Sequence, residues 1–149
     1  MPKIAIDVVL LPPENIMDKA IEINKQFADD PIELNKENCL PHISLCMGVL
    51  EDKNLPKIKE LVSEIGSKFS KLPLKINKIN EKYSTFDIEK TEALQKLHEE
   101  IMVKLGKYLS YNATIDMCFS PPAVVEKTLF WINTYKEKSI LKIFTPIYH

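Results

Sequence analysis

The chain has 149 residues, of which 45% are hydrophobic and 28% are charged, and its net charge at pH 7 is −1. That length suits one domain with a sizeable core, and the composition is typical of a soluble globular protein. All 20 basic residues are lysine, so the chain has neither the positive excess that favours long nucleic acids nor a guanidinium for bidentate phosphate binding.

The first half of the chain follows the order strand, helix, strand, helix. An apolar, β-branched run that ends at two prolines predicts a buried strand, and Pro13 suits the first turn of the helix that follows. A polar loop leads to a second apolar run, and Asn54 is the predicted cap of the next amphipathic helix. The predicted elements are strands over 4–11 and 39–50 and helices over 13–27 and 54–69.

The second half contains the clearest helical period of the chain. His98 lies on or beside the apolar stripe of that helix, where a partnered core histidine is the favoured interpretation and a catalytic histidine the alternative. The last predicted helix includes residues 128–132, whose composition also suits a strand. The predicted elements are strands over 72–80 and 83–88 and helices over 91–109 and 123–138.

The cellular setting is predicted from the N-terminus and the cysteines. Met1 to Ile4 leads into the first strand without a signal peptide, and no apolar run approaches the roughly 20 residues of a membrane span. Cys39, Cys46 and Cys118 show no metal-ligand spacing and leave one cysteine unpaired in any disulfide scheme. We therefore expect buried, reduced thiols in a cytoplasmic protein without a membrane partner.

The two halves, roughly residues 1–71 and 72–149, resemble each other in the order of their elements. Each half also approaches a histidine through a nearby proline. If the halves form two lobes that face each other, both histidines enter one cleft. The prediction is a single bilobal domain of the α+β class.

The strand over 39–50 carries the strongest chemical signal. A period of two places His42 and Ser44 on one face, while Ile43 and Leu45 point to the other. A proton-transfer group and a hydroxyl about 6–7 Å apart suit one phosphate. The alternative is an ordinary strand with a polar outer face over an apolar inner one.

The stretch Pro41-His42-Ile43-Ser44-Leu45 resembles the first His-x-Ser/Thr-x motif of the 2H (two-histidine) phosphoesterases, the group of RNA-ligase-like proteins and cyclic phosphodiesterases. The helix at Leu94-Gln95-Lys96-Leu97-His98 resembles the one that follows the family's central strands. Trp131-Ile132-x-x-Tyr135 and Phe144-x-Pro146 resemble the approach to its second motif. That motif is reached through Phe-x-Pro-His, whereas here Ile147 and Tyr148 separate Pro146 from His149, and no second hydroxyl residue follows.

The resemblance implies a bilobal α+β fold in which two mostly antiparallel sheets line a central cleft and helices cover the outside. It implies that His42 and His149 form the catalytic acid and base pair and that Ser44 binds the phosphate. It further implies opening of a 2′,3′-cyclic phosphate on a small nucleotide or RNA end, without a metal or another cofactor. Which histidine is the acid is left open by the sequence.

Two other interpretations follow from the residues. The first is a related module that binds a phosphorylated nucleotide or RNA end without catalysis, and the second is a domain with an interaction role only. A metal hydrolase or a cysteine nucleophile has weaker support, because neither ligand spacing nor a low-pKa setting is present. A monomer is expected unless a missing last strand leaves an open sheet edge, which a dimer would cover.

Aromatic side chains near the cleft are candidates for base stacking. They are Tyr83, Phe86, Phe119 and Tyr148, and each also suits a place in the core.

Overall fold

The computed structural model describes residues 1–27, 33–80, 85–119, 125–138 and 147–148. Within these ranges the chain forms five strands and four α-helices, together with three short 3₁₀ helices. The strands are β1 (Lys3–Leu10), β2 (Ile43–Glu51), β3 (Ile76–Asn80), β4 (Thr85–Ile88) and β5 (Ile147–Tyr148). The helices are α1 (Glu14–Asn24), α2 (Leu55–Lys68), α3 (Glu92–Leu105) and α4 (Val125–Lys138). The 3₁₀ helices are Asp52–Asn54, Gly106–Tyr108 and Ile115–Met117.

The strands form two antiparallel pairs, β1 with β2 and β3 with β4. The two-residue strand β5 lies between the pairs and is antiparallel to both, so that the sheet has the order β1-β2-β5-β4-β3. Tyr148 is opposite Ile43 on one side and Phe86 on the other. Among the described residues, β5 is therefore an interior strand, and the edge strands of the sheet are β1 and β3.

A β-bulge in β2 sets which residues reach the core. Val8 is opposite Cys46 and Val9 is opposite Ser44, so Leu45 is the additional residue. Leu45 and Cys46 are both buried against the main core. The bulge thus changes the alternation of side chains along β2 at this point.

Two clusters of apolar side chains cover the two faces of the β1–β2 pair. The larger cluster joins the strands to helices α1, α2 and α3. The smaller one joins Ala5 and Met47 to Ile132 of α4 and to the segment around Ala113. In this way both faces of β2 are packed, which explains why it is apolar almost throughout.

The predicted order of the eight elements up to α4 is confirmed, and so is the mixed α+β class with antiparallel strands, whereas the strand β5 was not predicted. All four helices were anticipated, and residues 128–132 lie within α4 rather than in a strand. The predicted helix over 91–109 ends earlier, because Gly106–Tyr108 forms a 3₁₀ turn. Asn54 precedes α2, but its side chain makes no capping hydrogen bond.

The N-terminus of α3 gives a test of local stability. The Thr91 side chain accepts a hydrogen bond from the Leu94 amide at 3.1 Å. We expect Thr91→Ala to lower the free energy of unfolding by about 1 kcal/mol, since the amide loses its cap. Asn54→Ala at the start of α2 is the matched control, and chemical denaturation is the measurement. Equal losses in the two variants would contradict the capping role of Thr91.

Candidate functional site

His42 directly precedes β2, and its ring is held by the backbone. Nδ1 lies 2.6 Å from the carbonyl oxygen of Leu40. Because a carbonyl only accepts hydrogen bonds, Nδ1 carries the proton and donates it to Leu40. Nε2 is then the nitrogen that can take part in proton transfer. The His42 side chain is 22% exposed, so solvent reaches part of it.

Ser44 and His42 both approach the same oxygen of Asp7. The Ser44 hydroxyl donates to Asp7 Oδ2 at 2.6 Å, and His42 Nε2 lies 3.5 Å from that oxygen. Asp7 belongs to β1, where the register pairs Val9 with Ser44. Asp7 and Val9 share a face of β1, so Asp7 is a diagonal neighbour of Ser44 across the two strands. The structure thus joins three polar side chains from two strands into one cluster.

Two opposing effects set the charge of His42. Burial lowers the pKa of His42. Asp7, through its hydrogen bond and its negative charge, raises this pKa, and so does the carbonyl of Leu40. The raising effects together exceed the effect of burial, so the pKa of His42 lies above the ordinary 6.5. An imidazolium offers protons at both nitrogens, which suits a carbonyl on one side and a carboxylate on the other. The arrangement can therefore deliver a proton from Nε2.

Side chains from α3 and α4 bind the backbone of β2 beside the site. His98 is fully buried, and its Nδ1 donates to the carbonyl of Leu45 at 2.8 Å. Tyr135 of α4 packs edge-on against the His98 ring at 6.4 Å, and its hydroxyl donates to the carbonyl of Ser44 at 3.5 Å. His98 is thus a partnered core histidine, as the favoured interpretation of the sequence expected.

The structure leaves some of the predicted site residues untested and places others. His149 and Tyr83 are outside the described residues, and nothing is described of the Tyr148 side chain. Of the two candidates whose side chains are described, Phe86 is a core residue at 6% exposure and Phe119 is 93% exposed to solvent.

The cysteines agree only in part with the prediction. All three are free thiols, but Cys39 and Cys118 are half-buried and Cys46 alone is fully buried. Burial, with the charge of Asp7 nearby, raises the pKa of Cys46 to about 12. A thiol with this pKa is protonated at neutral pH, which agrees with the weak support for a cysteine nucleophile.

Asp7 is the functional candidate that sequence reasoning missed. A single carboxylate interrupts the apolar run of the first strand, and a period of two places it on the face opposite Ile6 and Val8. A lone charge in a buried strand is a signal for a polar site. Its partner could not be deduced, because the pairing with Ser44 depends on the register and the bulge.

No protein-family model, curated protein or solved structure matches this chain. Membership of the 2H phosphoesterases therefore stays a prediction. Within the described ranges, no group of three or more His, Cys, Asp or Glu side chains is arranged to hold a metal ion. No helix in those ranges is both long and apolar enough to cross a membrane.

The shared oxygen of Asp7 gives a first prediction for the site. We expect Asp7→Asn to lower the pKa of His42, because the carboxylate is replaced by a neutral amide while the ring stays buried. The measurement is an NMR titration of the ring protons of His42, assigned by comparison with His42→Gln. An unchanged titration midpoint would contradict the charge coupling of the two side chains.

The same pair makes stability depend on pH. A histidine whose pKa is raised on folding stabilises the folded protein fully below its unfolded pKa, and this contribution is lost as the pH rises through the folded pKa. Since His42 is raised above 6.5, the stability difference between wild type and Asp7→Asn should shrink as the pH rises above 6.5. Urea unfolding over this pH range measures it, and a constant difference would count against the pair.

Proposed function

We propose that this protein is a metal-independent phosphodiesterase that opens 2′,3′-cyclic phosphates of nucleotides or RNA ends by acid-base catalysis with two histidines. The observation that carries the proposal is the convergence of His42 Nε2 and the Ser44 hydroxyl on one anionic oxygen, that of Asp7. Two donors that meet on a carboxylate oxygen form the kind of pair that binds a phosphate oxygen. The resemblance of Pro41-His42-Ile43-Ser44-Leu45 to the first 2H motif supports the same function.

The second histidine of the proposal is His149. In an antiparallel ladder, one step forward on one strand corresponds to one step back on its partner. The register joins Ile43 to Tyr148, and these two residues are the sequence neighbours of His42 and His149. We propose that the two imidazoles meet in this way and that the strand pairs on either side of β5 are the two lobes of the 2H fold.

The proposed mechanism assigns different roles to the two histidines. His42 is the acid, because its Nδ1 is fixed on the Leu40 carbonyl and its pKa, raised above the ordinary 6.5, favours a protonated Nε2. His149 is the base that takes a proton from water. The water oxygen forms a bond to phosphorus as one ribose oxygen leaves and takes the proton from His42. The hydroxyl of Ser44 donates to a non-bridging oxygen, on which negative charge increases.

A binding module that holds the same ligand without turnover is the second candidate. The observation in its favour is the 2.6 Å hydrogen bond from Ser44 to Asp7, which engages the phosphate donor with the chain's own carboxylate. Both candidates predict binding of a phosphate ester, and they differ only in catalysis.

Hydrolysis of 2′,3′-cyclic nucleotides and of an oligonucleotide ending in a cyclic phosphate, in the presence of EDTA, tests the proposal. We expect EDTA-resistant turnover that His42→Ala and His149→Ala each abolish. Turnover that EDTA removes, or turnover retained in His42→Ala, would overturn the two-histidine mechanism. Binding of these ligands without turnover would favour the module instead.

The hydroxyl of Ser44 has a separate expected effect. Ser44→Ala should lower kcat by about a hundredfold, the usual cost of one lost donor to transition-state charge. Ser67→Ala is the matched control, because the Ser67 hydroxyl donates only to the carbonyl of Glu64 at the end of α2. Steady-state kinetics of both variants distinguish the roles. Equal kcat values in Ser44→Ala and wild type would show that Ser44 does not contact the reacting phosphate.

A further inference from the structure

The oxygen atom on which the phosphate donors converge belongs to the protein itself. Asp7 Oδ2 accepts the Ser44 hydroxyl at 2.6 Å and lies 3.5 Å from His42 Nε2. The Leu40 carbonyl anchors the other ring nitrogen at 2.6 Å, so the imidazole keeps its direction. An anion that uses both donors must therefore displace the Asp7 carboxylate or lie beside it.

The charge of Asp7 then acts on any anion bound at this position. The imidazolium of His42 and the carboxylate of Asp7 together carry no net charge, so the pair attracts anions less than an isolated imidazolium would. A carboxylate within contact distance repels each negative charge on the ligand, and the repulsion doubles from a monoanion to a dianion. The side chains of Asp7 and His42 are only 24% and 22% exposed to solvent, so water and salt screen the charges of this pair less than those of fully exposed groups.

We infer that Asp7 is a specificity-determining residue that shifts the preference of this site from anions of two negative charges toward anions of one. This inference rests on the proposed function, in which the substrate is a diester with one negative charge. The product is a monoester, which carries up to two charges above its second pKa of about 6. Asp7 therefore favours the substrate over the product and speeds product release.

Sulfate and methyl sulfate are suitable probes, because they are tetrahedral anions with fixed charges of two and one. Their dissociation constants are measured by NMR titration at about pH 5.5, below the ordinary pKa of histidine. The ring signals of His42 report its protonation at this pH, and the pH is lowered for both proteins until the ring is an imidazolium in Asp7→Asn as well. We expect Asp7→Asn to improve the affinity for sulfate about tenfold more than the affinity for methyl sulfate.

Asp52→Asn is the matched control, because it removes the same charge from the 3₁₀ turn after β2, at the opposite end of the β1–β2 pair. Its ratio of sulfate to methyl sulfate affinity should equal that of the wild type. An equal ratio in Asp7→Asn and wild type would overturn the role of Asp7 and leave the proposed catalysis intact. If neither protein binds either anion, the anion site itself is wrong, and the proposed function fails with it.

Discussion

The antiparallel pairing of β1 with β2 is the interaction on which both the core and the site depend. If the pairing of two strands shifts by one residue, every following side chain moves to the opposite face of the sheet. The extra residue at the bulge allows Ile43 and Leu50 to contribute to the same core although they differ in parity. Ser44 stays on the opposite face, where Asp7 meets it. Packing and polar chemistry are therefore fixed by a single register.

Support for the site comes from the core behind it. The carbonyls of Ser44 and Leu45 bind the side chains of Tyr135 and His98, which come from two different helices. A buried histidine is costly unless it has a hydrogen-bond partner, and here the partner is the strand that carries the site. These two hydrogen bonds tie the backbone at Ser44 and Leu45 to the helices, and a site built on strands keeps its geometry better than one built on a loop.

The charge balance of the site follows from the residues available to the chain. Lysine supplies every basic side chain of the sequence apart from histidine, so no guanidinium can clamp a phosphate by two parallel hydrogen bonds. In the cluster of His42, Ser44 and Asp7, the group that can carry a positive charge is the imidazole of His42, and the Asp7 carboxylate opposes that charge. Recognition of an anion then depends on directed hydrogen bonds more than on an excess of positive charge.

The sequence predicted the local features of this protein and missed those that depend on distant pairing. Apolar periodicity located the helices and the order of strands, because each pattern lies within one continuous segment. The face shared by His42 and Ser44 followed from the strand period, and the buried position of His98 followed from the helical stripe. Asn54 was predicted to cap α2, but its side chain makes no capping hydrogen bond. Capping depends on backbone angles, which the composition of a segment does not set.

The sequence by itself thus determined the α+β class, the helices, the first four strands and the two donors at the start of β2. Only the tertiary structure decided that β5 lies inside the sheet and that Asp7 is the third member of the cluster. Ser44 and Asp7 are 37 positions apart. Their contact is set by strand register and by the bulge at Leu45, which arise from the packing of the whole sheet against its helices.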